Sequence, residues 1–129
     1  MKKNLEISLL KNKKMNSDTA GLRQKVMECI YELKKIKHFP RIYVRVTEDD
    51  VNGRCLGVAH TQIKAIWITE GAIINYSHEA LFALVAHEVL HTAFGVEHNE
   101  TCPLMSSCQK PITKAETIRR FKAWAGKSK

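Results

Sequence analysis

Ser77-His78-Glu79-Ala80-Leu81-Phe82-Ala83-Leu84-Val85-Ala86-His87-Glu88-Val89-Leu90-His91-Thr92-Ala93-Phe94-Gly95 is the stretch on which the fold turns. Ser77 stands where a helix N-cap belongs and Gly95 where a left-handed stop belongs, so the spacing predicts a helix over 80–94. A helix at a domain surface keeps one polar side. This one is apolar on nearly every side, through Leu81, Phe82, Leu84, Val85, Val89 and Leu90, and is expected in the centre of the domain with other elements around it.

Upstream, Leu22, Val26, Cys29, Ile30, Leu33 and Ile36 recur at helical spacing from Asp18 until Pro40. Ile42, Val44 and Val46 then alternate with Tyr43, Arg45 and Thr47, the pattern of a strand over 41–48 with one buried face. Residues 49–53 read as a turn, residues 55–60 and 64–69 as two further strands, and Glu70-Gly71 as the end of the last one. Downstream, a polar loop over 96–111 leads to an amphipathic helix over 113–124 built on Ile118, Phe121 and Trp124. Helix, sheet, central helix, loop, helix is an α+β order. Residues 1–17 hold five lysines and suit either a short edge strand around Leu5–Leu10 or a mobile basic arm. The chain is accordingly divided into a basic N-terminal arm, 1–18, and a single domain, 19–129, a size at which one core is sufficient.

With 44% hydrophobic and 26% charged residues, the composition excludes the disordered and collagen-like classes. Twenty-one basic against thirteen acidic residues give a formal charge of +8, which favours an anionic partner such as nucleic acid or an acidic protein without choosing a reaction. Four cysteines are too few for a disulfide scaffold. The segment after Met1-Lys2-Lys3 is too short and too interrupted, by Glu6, for a signal-peptide core. The expected compartment is therefore the reducing cytoplasm. No apolar run approaches a membrane span, so no membrane partner is expected.

The chemistry lies inside the central helix. His87 and His91 are four residues apart, so both imidazoles lie on one face and can reach one ion, with Glu88 beside them toward an attacking water. Burying two imidazoles and a carboxylate within one turn is costly unless something satisfies them, and a divalent cation satisfies all three. Zinc leads for imidazole ligands, while composition leaves iron, manganese and nickel open. A catalytic zinc takes three protein ligands and keeps a fourth position for water.

The run His87-Glu88-Val89-Leu90-His91, continuing to Gly95 and His98, resembles the metzincin branch of the zincin metallopeptidases, whose signature is H-E-x-x-H-x-x-G-x-x-H followed by a Met-turn. The resemblance implies a small zincin-like domain: N-terminal helix, short twisted mainly three-stranded sheet, central metal-binding helix and C-terminal helix. It also implies zinc on His87, His91 and His98, with Glu88 as catalytic base. The chain departs from the signature once, with three residues rather than two between His91 and Gly95. One added helical residue turns the exit by about 100 degrees, which the loop must absorb if His98 is to reach the ion. Glu97 falls where strict counting puts the third ligand, and Glu116 is the carboxylate that a gluzincin-like arrangement uses.

Cys102-Pro103-Leu104-Met105 resembles the Met-turn, with Met105 as its methionine. Cys102 and Cys108 are similar to the cysteines of archaemetzincins, but no Cys-x-x-Cys pair follows to hold a second zinc; a Cys102–Cys108 disulfide or two plain buried thiols are the other readings, and the reducing compartment favours thiols. The strand over 64–69 is expected to be the edge strand that in zincins pairs with extended substrate, and Gly57-Val58-Ala59-His60 resembles the bulge ahead of it. His60 and Tyr76 are candidate polarising groups near the cleft.

The resemblance thus points to a zinc metallopeptidase acting on protein or peptide, with acidic or nucleic-acid-associated substrates suggested by the basic charge, as SprT-like proteases act on DNA-bound proteins. One alternative is a metal-dependent endoribonuclease resembling the bacterial rRNA-maturation family, which has glycine where this chain has Glu88. The other is a catalytically inactive zincin-like binding module.

Overall fold

A computed structural model describes residues 4–48, 57–107 and 110–127, with side chains from Ala20 onward. The fold is α+β, with four helices and a three-stranded mixed sheet. Helix α1 spans Asn4–Ile36, followed by strands β1 (Tyr43–Thr47), β2 (Gly57–His60) and β3 (Ala65–Thr69). Helices α2 (Glu70–Asn75), α3 (His78–Phe94) and α4 (Lys114–Lys127) complete it.

α3 is the central element. Ser77 caps it as expected, its hydroxyl accepting from the Ala80 amide at 3.1 Å, and Gly95 ends it at φ 66. Eleven of its residues are buried, so its polar groups at His87, Glu88 and Thr92 lie inside the protein. It packs against the sheet, α1 and α4. On the α4 side, Phe39, Phe94 and Phe121 meet edge to face with ring centres 5.9–6.4 Å apart, a geometry their quadrupoles favour.

The strand order is β1-β3-β2, with β1 parallel and β2 antiparallel to β3. This corrects the expectation that the strand over 64–69 lies at the edge. Its run Ala65-Ile66-Trp67-Ile68-Thr69 is buried at four of five positions, as a strand paired on both sides should be. The edge beside α3 is instead β2. The β2–β3 hairpin is tied to the end of α3, because Lys64 Nζ donates to the Thr92 carbonyl and the Thr92 hydroxyl to the Ala65 carbonyl, both at 3.3 Å.

One further expectation changes. Leu5–Leu10 is not a strand: the backbone is helical from Asn4, and residue 18 falls inside α1. Asn4–Ala20 contains neither proline nor glycine, so nothing in it interrupts a helix. Glu70-Gly71 does end β3 as expected, and the chain continues directly into α2, which Thr69 caps by accepting from the Ala72 amide at 3.3 Å. The expected turn over 49–53, with Cys55, Leu56 and Cys108, lies outside the described residues. No described helix is long and apolar enough to cross a membrane.

Candidate metal centre

α3 carries His87 and His91 one turn apart, and the loop after Gly95 returns His98 to them. Their ligand atoms all lie within 4.8 Å of one another, and the three rings are 4.7–5.3 Å apart centre to centre. The three histidines therefore lie close enough to bind one metal ion. Neither Glu97 nor Glu116 joins the cluster. Glu97 is exposed, and Glu116 is held by Arg119 and Arg120 on α4.

The extra residue ahead of Gly95 is absorbed at the helix end. In a regular α-helix the Gly95 amide would donate to His91, four residues back. Here it reaches the Leu90 carbonyl, five back, and the Val96 amide reaches the same carbonyl at 3.0 Å.

Protonation follows from the outer hydrogen bonds. His87 Nδ1 lies 2.7 Å from the Leu104 carbonyl and His91 Nδ1 lies 2.6 Å from the Val96 carbonyl. A carbonyl only accepts, so each Nδ1 carries the proton and donates it. Burial, opposed by the Leu104 bond and reinforced by the neighbouring histidines, pushes His87 down to about 4. Burial likewise lowers His91. Both are neutral at pH 7, and each Nε2 is left with a bare lone pair.

Those two Nε2 atoms face each other at 3.1 Å. Two acceptors at that distance repel unless a cation sits between them. Zinc–nitrogen bonds of about 2.0–2.1 Å at a tetrahedral angle place two nitrogens about 3.3–3.4 Å apart, so the donor set fits such an ion.

Glu88 is 5% exposed, and burial pushes its carboxyl up to about 7. Its place is made by a missing side chain: a Cβ on Gly57 would lie 3.0 Å from Glu88 Oε2 and 3.2 Å from Ile68 Cδ1. The helix and the β2 edge thus close on the carboxylate only because residue 57 is glycine. A cleft of about 1040 Å³ opens over the cluster, lined by His87, Glu88, His91 and His98, by the β2 edge and by Tyr76. Burial raises the Tyr76 phenol, so it is a neutral donor at pH 7. His60 is not among the lining residues; it lies tilted against Trp67 with ring centres 4.2 Å apart.

The loop over 99–105 lies behind His87. The Asn99 amide donates to the Met105 carbonyl at 2.9 Å and the Cys102 amide to the Asn99 carbonyl at 3.1 Å. This closed turn holds the Leu104 carbonyl against His87, with Leu104 and Met105 fully buried. Cys102 is a buried free thiol that accepts from Trp124 Nε1 at 3.4 Å and Arg120 Nη1 at 3.6 Å, which fastens the turn to α4.

The Leu104 and Val96 carbonyls were not among the residues singled out from the sequence. A backbone acceptor has no side-chain signature, although any ligating histidine needs a partner for its second nitrogen. The chain has no match among protein-family models, curated proteins or solved structures.

Proposed function

We propose that the chain is a zinc-dependent metallopeptidase with a zincin-like domain, hydrolysing peptide bonds of protein substrates. The observation that carries this reading is the pair of bare Nε2 atoms 3.1 Å apart, joined by His98 and followed in sequence by a buried carboxylate on the same cleft. His87, His91 and His98 would hold the ion. When bound, zinc supplies Lewis acidity, polarising the scissile carbonyl and making water more acidic. Glu88 accepts the proton of the attacking water and passes it to the leaving amine. The side of β2 away from β3 pairs with no other strand among the described residues, and its N–H and C=O groups are offered to an extended substrate backbone. Tyr76 offers a neutral donor in the same cleft.

The test is hydrolysis of an unfolded acidic protein by the full chain, before and after chelation and after zinc is restored. Cleavage lost on chelation and regained with zinc is expected. Cleavage of RNA in the absence of peptide hydrolysis would replace this reading with the endoribonuclease one, and neither activity would replace it with a binding module.

Gly57→Ala gives a finer check, because the added methyl moves Glu88 without touching a ligand. Zinc content is expected to stay at one per chain, while hydrolysis falls on the order of tenfold to a hundredfold, as for a displaced reacting group. An unchanged rate would mean that the seat of Glu88 does not matter to the reaction.

A further inference from the structure

The sheet has a second face, away from α1 and α3, that the metal centre does not use. Side chains alternate along a strand. With Val44, Ile66 and Ile68 turned into the core, their neighbours form two rows on the other side. Tyr43, Ala65 and His60 make one row, and Arg45, Trp67 and Val58 the next. Tyr43 is 54% exposed, and Arg41 and Arg45 are exposed.

Planar groups dominate this face. The Arg45 guanidinium lies 5.1 Å from the Trp67 ring centre, His60 meets the same ring at a tilt of 46°, and the Arg41 guanidinium lies 5.0 Å from the Tyr43 ring centre. Neither row contains an acidic side chain, although the chain has thirteen.

We infer that this face binds single-stranded nucleic acid. Aromatic rings and guanidinium planes are the surfaces on which unpaired bases stack, and arginine beside them pairs with phosphate. Tyr43 pairs with Ala65, two residues before Trp67 on β3, so the two rings stand in successive rows of one face. The formal charge of +8 supplies long-range attraction for a polyanion. An acidic polypeptide meets the charge but leaves the ring faces unused, so the rings favour the polynucleotide. β2 belongs to both this sheet and the wall of the cleft. The inference does not depend on what reaction occurs there.

The test is fluorescence anisotropy of the full chain with labelled 15-nucleotide oligo-dT and oligo-U, and with a labelled 15-residue oligo-glutamate, across a salt series. Tyr43→Ser and Arg45→Gln alter exposed positions, and their melting temperatures check that folding is intact. Both oligonucleotides are expected to bind, Tyr43→Ser to weaken them about tenfold or more, and Arg45→Gln to reduce the logarithmic salt slope by about 0.7, the share of one phosphate on a single strand. Preference for one oligonucleotide over the other would tell RNA from DNA and would still support the face. The inference is overturned if neither oligonucleotide binds, if both variants bind like the wild type, or if oligo-glutamate binds equally well and loses affinity only with Arg45→Gln. That last pattern would assign the face to an acidic protein.

Discussion

His98→Ala is expected to weaken zinc binding by at least a hundredfold, while Glu97→Ala and Glu116→Ala leave it unchanged. Losing an outer partner of a ligand costs roughly 10–100-fold, so losing one of three ligands costs more. The same loss is readable as stability. At a zinc concentration a thousand times the wild-type dissociation constant, binding adds about 4.1 kcal/mol to folding; a hundredfold weaker variant retains about 1.4 kcal/mol under the same conditions. Melting in the presence and absence of zinc therefore measures the third ligand without any activity assay. Glu116 serves as the contrasting case because its carboxylate already belongs to Arg119 and Arg120. If Glu116→Ala abolished the zinc-dependent rise and His98→Ala did not, the third ligand would be the carboxylate of α4.

What the sequence disclosed and what it hid divide along the range of the forces involved. Ser77, Gly95 and the apolar run between them act locally, and α3 begins and ends within two residues of its expected bounds. The approach of His87 and His91 follows from helix periodicity alone. Strand order is different, since the same three strands in another order leave each local pattern intact. Only the burial of β3 at four of five positions distinguishes its central place, and that was legible in hindsight as an apolar run rather than an alternation. α2 was hidden because Gly71 signals a break more loudly than Thr69 signals a cap.

The return of His98 was legible as a spacing and opaque as a geometry. An extra residue predicts a rotated exit if the helix stays regular. Leu90 instead accepts from both Gly95 and Val96, and this widened turn decides the matter. The same local device places the Val96 carbonyl 2.6 Å from His91 Nδ1, so one irregular turn both redirects the chain and orients a ligand. No pattern of side chains encodes that, because the groups involved are backbone.

Glu88→Gln is expected to abolish peptide hydrolysis while leaving the zinc content and the fold in place. Glutamine nearly matches the size and helix propensity of glutamate but cannot take a proton from water. Removing a general base costs on the order of a hundredfold to ten-thousandfold in rate, and failure to activate water can add to that. A second readout isolates the carboxylate from the reaction. In the zinc-free chain, burial raises Glu88 from an ordinary 4.5 to about 7. A raised acid contributes its stability below the unfolded value and loses it as pH climbs through the folded one. Wild type and Glu88→Gln should then differ little more at pH 5 than at pH 4, whereas at pH 8 the zinc-free wild type carries a desolvated charge that the variant lacks. The variant is expected to gain on the order of 3 kcal/mol relative to wild type between those limits, visible as a higher melting temperature at pH 8. Peptide cleavage that persists in Glu88→Gln at the wild-type rate would remove Glu88 from the mechanism, and a stability difference independent of pH would mean that its carboxyl does not titrate in the folded chain as its burial requires.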